Sequence, residues 1–261
     1  MRAAFLGCDM KGASSSLSGR TALVTGAGRR LGRAIALALA DAGVNIVAHY
    51  NASRDEAEGL AGQVRRLGRK AWTIRADLAR PEEATGLVGK ARDLAGGFEI
   101  LVNSASIFPT DTLKDATLES IVLNQQINAL APLVLGRQFA AAGGSGDIVN
   151  MLDTRAFDAD PQHFSYHLSK RTLFTLTRIM AVEFAPKIRV NAVAPGLILP
   201  PEGKDESYLA GLAHTNPLQR YGSPDDVSEA IMFLLRSDFV TGQVIFVDGG
   251  RHLKGAFYGG L

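Results

Sequence analysis

Tyr166 and Lys170 stand four residues apart in the stretch "NMLDTRAFDADPQHFSYHLSK", Asn150 to Lys170. That spacing puts both side chains on one face of a helix. A tyrosine is a poor acid at neutral pH because its ordinary pKa is about 10. A neighbouring ammonium favours the phenolate and so brings the hydroxyl within reach of proton transfer. Asp153 lies 13 residues before Tyr166, at the end of an apolar run. Tyr-x-x-x-Lys is common by chance on helix surfaces, so the pair gains meaning only from what surrounds it.

The second feature is "TGAGRRLG", Thr25 to Gly32, between an apolar run and an Ala/Leu-rich segment. In a strand–loop–helix setting Gly26 permits the tight turn, Gly28 lets backbone approach a ligand, and Gly32 allows close helix–strand packing. The helix start then offers free N–H groups and a positive dipole end to a pyrophosphate. NAD-selective sites usually carry an acid after the second strand to hold the ribose 2′-OH. Here that strand ends "AHYNASRD", with no acid before Asp55. Asn51, Ser53 and Arg54 supply donors there, and Arg30 lies in the glycine loop, which suits the 2′-phosphate of NADP.

The elements that must position these residues alternate along the chain. "RTALVTGAG", "VNIVAHY", "KAWTIRADL", "EILVNSAS", "DIVNML", "KIRVNAVAP" and "QVIFVDGG" read as strands. Helices are expected between them, with long ones near 117–141 and 164–185, and with Gly43, Gly68 and Pro81 as stop and start signals. Apolar strands alternating with helices imply a parallel sheet covered on both faces, in one doubly wound α/β domain.

Composition bounds the rest. The chain has 261 residues, 46% hydrophobic, with a net charge of +2 and scattered Lys and Arg. No basic footprint for nucleic acid or an anionic membrane is present. Cys8 is the only cysteine, so a reducing, cytoplasmic setting is expected. Residues 1–18 read as a flexible lead-in whose apolar run is too short for a signal or membrane segment. Asp153, Asp158, Asp160 and His163 cluster in sequence but match no metal-ligand spacing, and no metal is expected. His49 and His167 read as structural.

Seven motifs, "TGxxxRxG", "ADL", "VNSAS", "INAxxP", "YHLSK", "RVNAVAPG" and "TGQVIFVDGG", occur in the order and spacing of the short-chain dehydrogenases/reductases, a resemblance covering about 240 residues. It implies a Rossmann-type domain over residues 19–261, strand order 3-2-1-4-5-6-7, NADP(H) as cofactor and a homotetramer. Tyr166 would be the general acid/base, Lys170 its activator, and Asn128 the residue holding a proton-relay water. Asp77 would contact adenine and Asn103 would support the central sheet. Arg29, Leu31, Leu78, Ser104, Ala105, Pro195, Gly196 and Ile198 would complete the cofactor site. Residues 196–216 would form the substrate loop.

Two departures narrow the reading. Most family members carry serine at the position of Asp153, where its hydroxyl orients a carbonyl, and glycine at that of Arg30. Both changes, with "GRRLGRAIA", "HYNAS", "NSASIFPT" and "NMLDTRA", resemble the pteridine reductase and bacterial dihydromonapterin/dihydrofolate reductase branch. A carboxylate repels a carbonyl oxygen but accepts hydrogen bonds from the N–H groups of a reduced pterin. Ser106 and Phe108 would line the substrate pocket with Arg30, Asp153 and Tyr166, and Ile107 competes with Phe108 for the stacking position. Position 52 is Ala where many relatives have Arg. The expected activity is NADPH-dependent reduction of a dihydropterin or dihydrofolate. Reduction of another carbonyl or imine, and cofactor binding without catalysis, are the alternatives.

Overall fold

The structure, a computed structural model, describes residues 16–157 and 161–254. The lead-in to residue 15 with Cys8, as well as Asp158 and Asp160, lies outside the described residues. Seven strands form one parallel sheet: β1 (Thr21–Val24), β2 (Asn45–Tyr50), β3 (Ala71–Arg75), β4 (Ile100–Asn103), β5 (Gly146–Met151), β6 (Ile188–Pro195) and β7 (Val244–Val247). Their order is β3-β2-β1-β4-β5-β6-β7, the expected Rossmann-type topology. Strands β1, β4 and most of β5 and β6 are buried on both faces, which is why they read as continuous apolar runs rather than alternating ones.

Helices cover both faces. On one side α1 (Arg30–Asp41), α2 (Arg54–Arg66) and α8 (Pro224–Arg236) pack Ile35, Leu39, Leu60, Val64, Val227 and Ile231 on the sheet. On the other, α3 (Pro81–Ala95), α5 (Ala131–Ala141) and α6 (Phe164–Glu183) contribute Leu87, Leu135, Phe139 and Met180, while α4 (Leu118–Gln125) packs along α6 and buries Asn124. Pro81 stands in the first turn of α3, where its missing N–H costs no helical bond. Ser223 and Asp226 form a capping box at the start of α8.

The long helix expected near 117–141 is broken in the middle. A π-turn at Gln126–Leu130 separates α4 from α5, and its i→i+5 bonding leaves no trace in a 3.6-residue apolar pattern. Two short helices are absent from the sequence-based expectation: α7 (Glu206–Leu212), within the segment 196–216 expected as a substrate loop, and α9 (Arg251–Lys254), after β7. Among the described residues no helix is long and apolar enough to cross a membrane.

The glycine loop joins β1 to α1. Gly26 has φ +65°, and a Cβ there would stand 2.9 Å from Ala105 Cα. At Gly32, inside α1, a Cβ would lie 2.3 Å from the Gly26 carbonyl oxygen. Replacing an exposed helical glycine by alanine normally stabilises by up to about 1 kcal/mol. Gly59 in α2 is such a position, with nothing within 4 Å of a built Cβ. Thermal unfolding of the two alanine variants should therefore give opposite signs: Gly59→Ala raises the melting temperature, whereas Gly32→Ala overpacks the loop and costs roughly 1–3 kcal/mol. Equal shifts would rule out the close approach at Gly32.

Candidate active site

The carboxyl ends of β1, β4, β5 and β6 converge on one cavity of about 570 Å³. Each strand delivers a different segment: the glycine loop after β1, Ser104–Phe108 after β4, Leu152–Arg155 after β5, and Gly196–Leu199 after β6. Such crevices beyond the carboxyl ends of parallel strands are where open α/β sheets bind ligands.

Tyr166 and Lys170 enter from α6 and both line the cavity. The Tyr166 hydroxyl donates to Asp153 Oδ2 at 3.0 Å. The other carboxylate oxygen accepts the Arg155 backbone N–H at 2.7 Å, which fixes the carboxylate plane. Lys170 is buried; its Nζ donates to the Met151 carbonyl at 2.8 Å and lies 5.5 Å from the Tyr166 ring centroid. Burial pulls the Lys170 ammonium down to about 8, against the opposing pull of the Asp153 charge. A tyrosine hydroxyl, a carboxylate and the buried Lys170 ammonium thus share one wall, an arrangement suited to moving a proton.

Asn128 stands behind this wall. It is fully buried in the π-turn and does not line the cavity. Its Oδ1 accepts from Ile107 N at 2.9 Å and Ser106 Oγ at 3.1 Å, and its Nδ2 donates to Ile107 O and Ser169 Oγ, both at 3.0 Å. The side chain therefore pins the loop that carries Phe108. Both Ile107 and Phe108 line the cavity. Phe108 meets Tyr166 edge-on at 4.6 Å, while one of its faces is already stacked on His163 at 3.9 Å.

Of the residues expected to hold the cofactor, Gly26, Arg29, Arg30, Leu31, Asn51, Ser53, Asp77, Leu78, Ser104, Ala105, Pro195, Gly196 and Ile198 line the cavity. Gly28, Arg54 and Asn103 do not. The close approach at Gly28 is to the start of α2, where a Cβ would meet Ser53 Oγ at 3.0 Å. Arg54 opens α2 and is exposed. Asn103 is buried and donates to Asn150 Oδ1 at 2.8 Å, joining β4 to β5. Arg29 is held by Glu56, and Arg30 reaches across to donate to the Pro200 carbonyl at 2.7 Å. Arg155, Tyr208 and Arg251 also line the cavity and were not anticipated, since no periodic or glycine-loop signal marks them. Among the described residues no cluster of His, Cys, Asp and Glu could hold a metal ion.

The family described as enoyl-(acyl carrier protein) reductase, a division of the short-chain dehydrogenases/reductases, matches residues 26–252. The chain belongs to the short-chain dehydrogenase/reductase family. Within it, FolM alternative dihydrofolate reductase 1 from Brucella canis, crystallised with NADP, superposes with a TM-score of 0.85 at 35% identity, covering 92% of this chain and 96% of that one. The angucycline C-6 ketoreductase LanV, also with bound NADP, gives 0.84 at 28% identity over 92% and 98%. Versicolorin reductase 1 of Aspergillus parasiticus is 34% identical over 253 residues, 90% of this chain and 96% of the relative. This short-chain dehydrogenase/reductase is therefore an oxidoreductase whose relatives include both a folate-type and several ketone-type reductases.

His49 ties the two ends of the nucleotide side together. Its Nδ1 accepts from Gly26 N at 3.2 Å, so the ring carries its proton on Nε2, which donates to Ala76 O at 3.0 Å. Burial lowers its pKa to about 4. The unfolded chain takes up this proton near pH 6.5, the folded one only near 4, so stability present above pH 6.5 is lost as the pH falls toward 4. Urea unfolding should show a loss of roughly 2 kcal/mol between pH 7 and pH 5 that His49→Gln no longer shows. Parallel slopes in wild type and variant would refute the buried neutral imidazole.

Proposed function

We propose that this protein is an NADPH-dependent reductase of a dihydropterin or dihydrofolate. The observation that carries the reading is the Asp153 carboxylate, 3.0 Å from the Tyr166 hydroxyl on the cavity wall. At that place an anion repels a ketone oxygen, but it accepts hydrogen bonds from the amine and amide N–H groups of a pterin. The likeness to FolM dihydrofolate reductase supports the same substrate class.

The residues present fit a dinucleotide. A cradle closed to any Cβ at Gly26 and Gly32, the start of α1, and Asp77 with Leu78 line one side of the cavity. Asn51, Ala52 and Ser53 bring no carboxylate to the position of a 2′-phosphate, which favours NADP(H) over NAD(H). When bound, NADPH supplies the hydride from C4 of its nicotinamide to a carbon of the C=N bond. Tyr166 delivers the proton to the ring nitrogen, and the Lys170 ammonium stabilises the phenolate left behind. Asp153 orients the ring through its N–H groups, and Phe108 lends an aromatic edge to the pocket. Asn128 holds the loop that carries Phe108.

Ketone reduction is the second reading, favoured by the likeness to LanV and versicolorin reductase 1. NADPH consumption with dihydrobiopterin and dihydrofolate separates the two. Asp153→Ser should lower kcat/KM on the pterins about a hundredfold or more, in line with the loss of a charge-assisted contact and a proton-transfer partner. Absence of turnover with both substrates in the wild type would move the assignment to a ketone.

Assembly as a homotetramer forms part of the proposal. Leu118 and Val122 on α4 and Ile179 and Val182 on α6 are each more than half exposed, apolar side chains that helix packing between subunits would cover. Light scattering should give four times the 27.7 kDa chain mass. A monomeric mass would refute it.

A further inference from the structure

Two arginines on the cavity wall have no part in the proton transfer. Arg155 follows Asp153 in the short 3₁₀ turn Thr154–Phe157, and Arg251 opens α9; both are half-buried and line the cavity. The Arg155 guanidinium lies 5.3 Å from the centroid of the Phe108 ring, so it stands at the substrate end of the site. Neither residue belongs to the glycine loop or the β2–α2 turn, the segments suited to a nucleotide's phosphates.

Their backbones are fixed to each other. The Thr154 hydroxyl donates to Asp248 Oδ2 at 2.6 Å, and the same oxygen accepts the His252 backbone N–H at 2.8 Å. Gly250 N donates to Asp248 Oδ1 at 2.9 Å, and Arg251 N to the Asp248 carbonyl at 3.2 Å. Phe246 closes the join, lying 4.7 Å from Phe157 and stacked on His252 at 3.8 Å. Burial alone would push the Asp248 carboxyl up, but its hydrogen bonds from Thr154 and His252 hold it below the usual range. The turn and α9 thus present two guanidinium groups from one braced support. Each guanidinium carries five N–H donors, enough to hold an acceptor of its own chain and still offer donors to the cavity.

We infer that Arg155 and Arg251 recognise an anionic tail on the substrate, as a folate's glutamate carries, and so select dihydrofolate over an unconjugated pterin. The inference rests on the pterin reading above and deepens it. Carboxylates suit this pair because a guanidinium binds them through two parallel hydrogen bonds. The reacting ring itself needs no such cations, since Asp153 meets its N–H groups.

The test measures kcat and KM for dihydrofolate and for dihydrobiopterin, whose side chain is uncharged, in wild type, Arg155→Gln and Arg251→Gln. KM for dihydrofolate should rise roughly tenfold or more in either variant, the size expected for losing a hydrogen bond to a charged group. The preference for dihydrofolate over dihydrobiopterin shrinks with it, added salt reproduces part of the loss, and lysine at the same position restores part of the binding. Unaltered circular dichroism and melting temperature exclude a folding defect, and a variant that fails this check is replaced by its lysine counterpart. Equal losses on the two substrates, or no loss on dihydrofolate, overturn the inference and leave the reductase reading in place. A wild type that turns over neither substrate overturns both.

Discussion

The candidate site is organised around a buried ammonium. Lys170 lies under the carboxyl end of the sheet, where a cation without acceptors would be costly. Its acceptor is the Met151 carbonyl, the last of β5. The strand end is itself fixed, because Leu152 N donates to Val193 O at 2.8 Å. Once that bond is made, Asp153 must leave the sheet beside Lys170, and Tyr166, one helical turn earlier, must face it. The negative charge of Asp153 offsets part of the penalty of burying the lysine, so removing it affects the lysine as well as any ligand.

A second set of buried polar contacts keeps α6 from shifting on the sheet. Asn103 on β4 donates to Asn150 on β5, Asn150 donates to Thr177 Oγ1 at 2.9 Å, and Thr177 donates to the Leu173 carbonyl within α6. About two turns earlier in the helix, Ser169 accepts from Asn128 and donates to the Tyr166 carbonyl at 2.6 Å. Buried polar groups cost free energy unless partnered, and all of these but Asn103 Oδ1 have a partner, so they favour one seating of the helix over others. The Asp111 carboxylate adds a clamp at the helix start, taking Ser165 N at 3.0 Å and the hydroxyls of Ser120 and Ser165.

Much of this architecture is legible in the sequence because its signals are local. Apolar runs fully buried in a parallel sheet announce β1, β4, β5 and β6, and glycine and proline mark where helices begin and end. The strand order comes from the resemblance of whole motifs to a family, since no apolar pattern reports which strands are neighbours. The Asp153–Tyr166 contact is foreshadowed by residue types, but its 3.0 Å separation depends on two elements that meet only in the fold. What stays hidden is non-local or aperiodic. The π-turn at Asn128 adds one residue to a helix without disturbing its composition. Arg54 stands in the first turn of α2 and is not among the residues lining the cavity, and Arg155 and Arg251 reach one wall on segments distant in sequence that Asp248 joins.

Arg30 adopts φ 51°, a left-handed conformation that a residue with a side chain enters at a cost of about 1–2 kcal/mol. A long cation stands at this turn, and its guanidinium reaches the Pro200 carbonyl. The partner is a main-chain oxygen, which every amino acid possesses. The segment after β6 can therefore change nearly any of its side chains without losing this strap. Variation of its side chains alters the lining of the cavity there, while the backbone fastening to Arg30 stays the same.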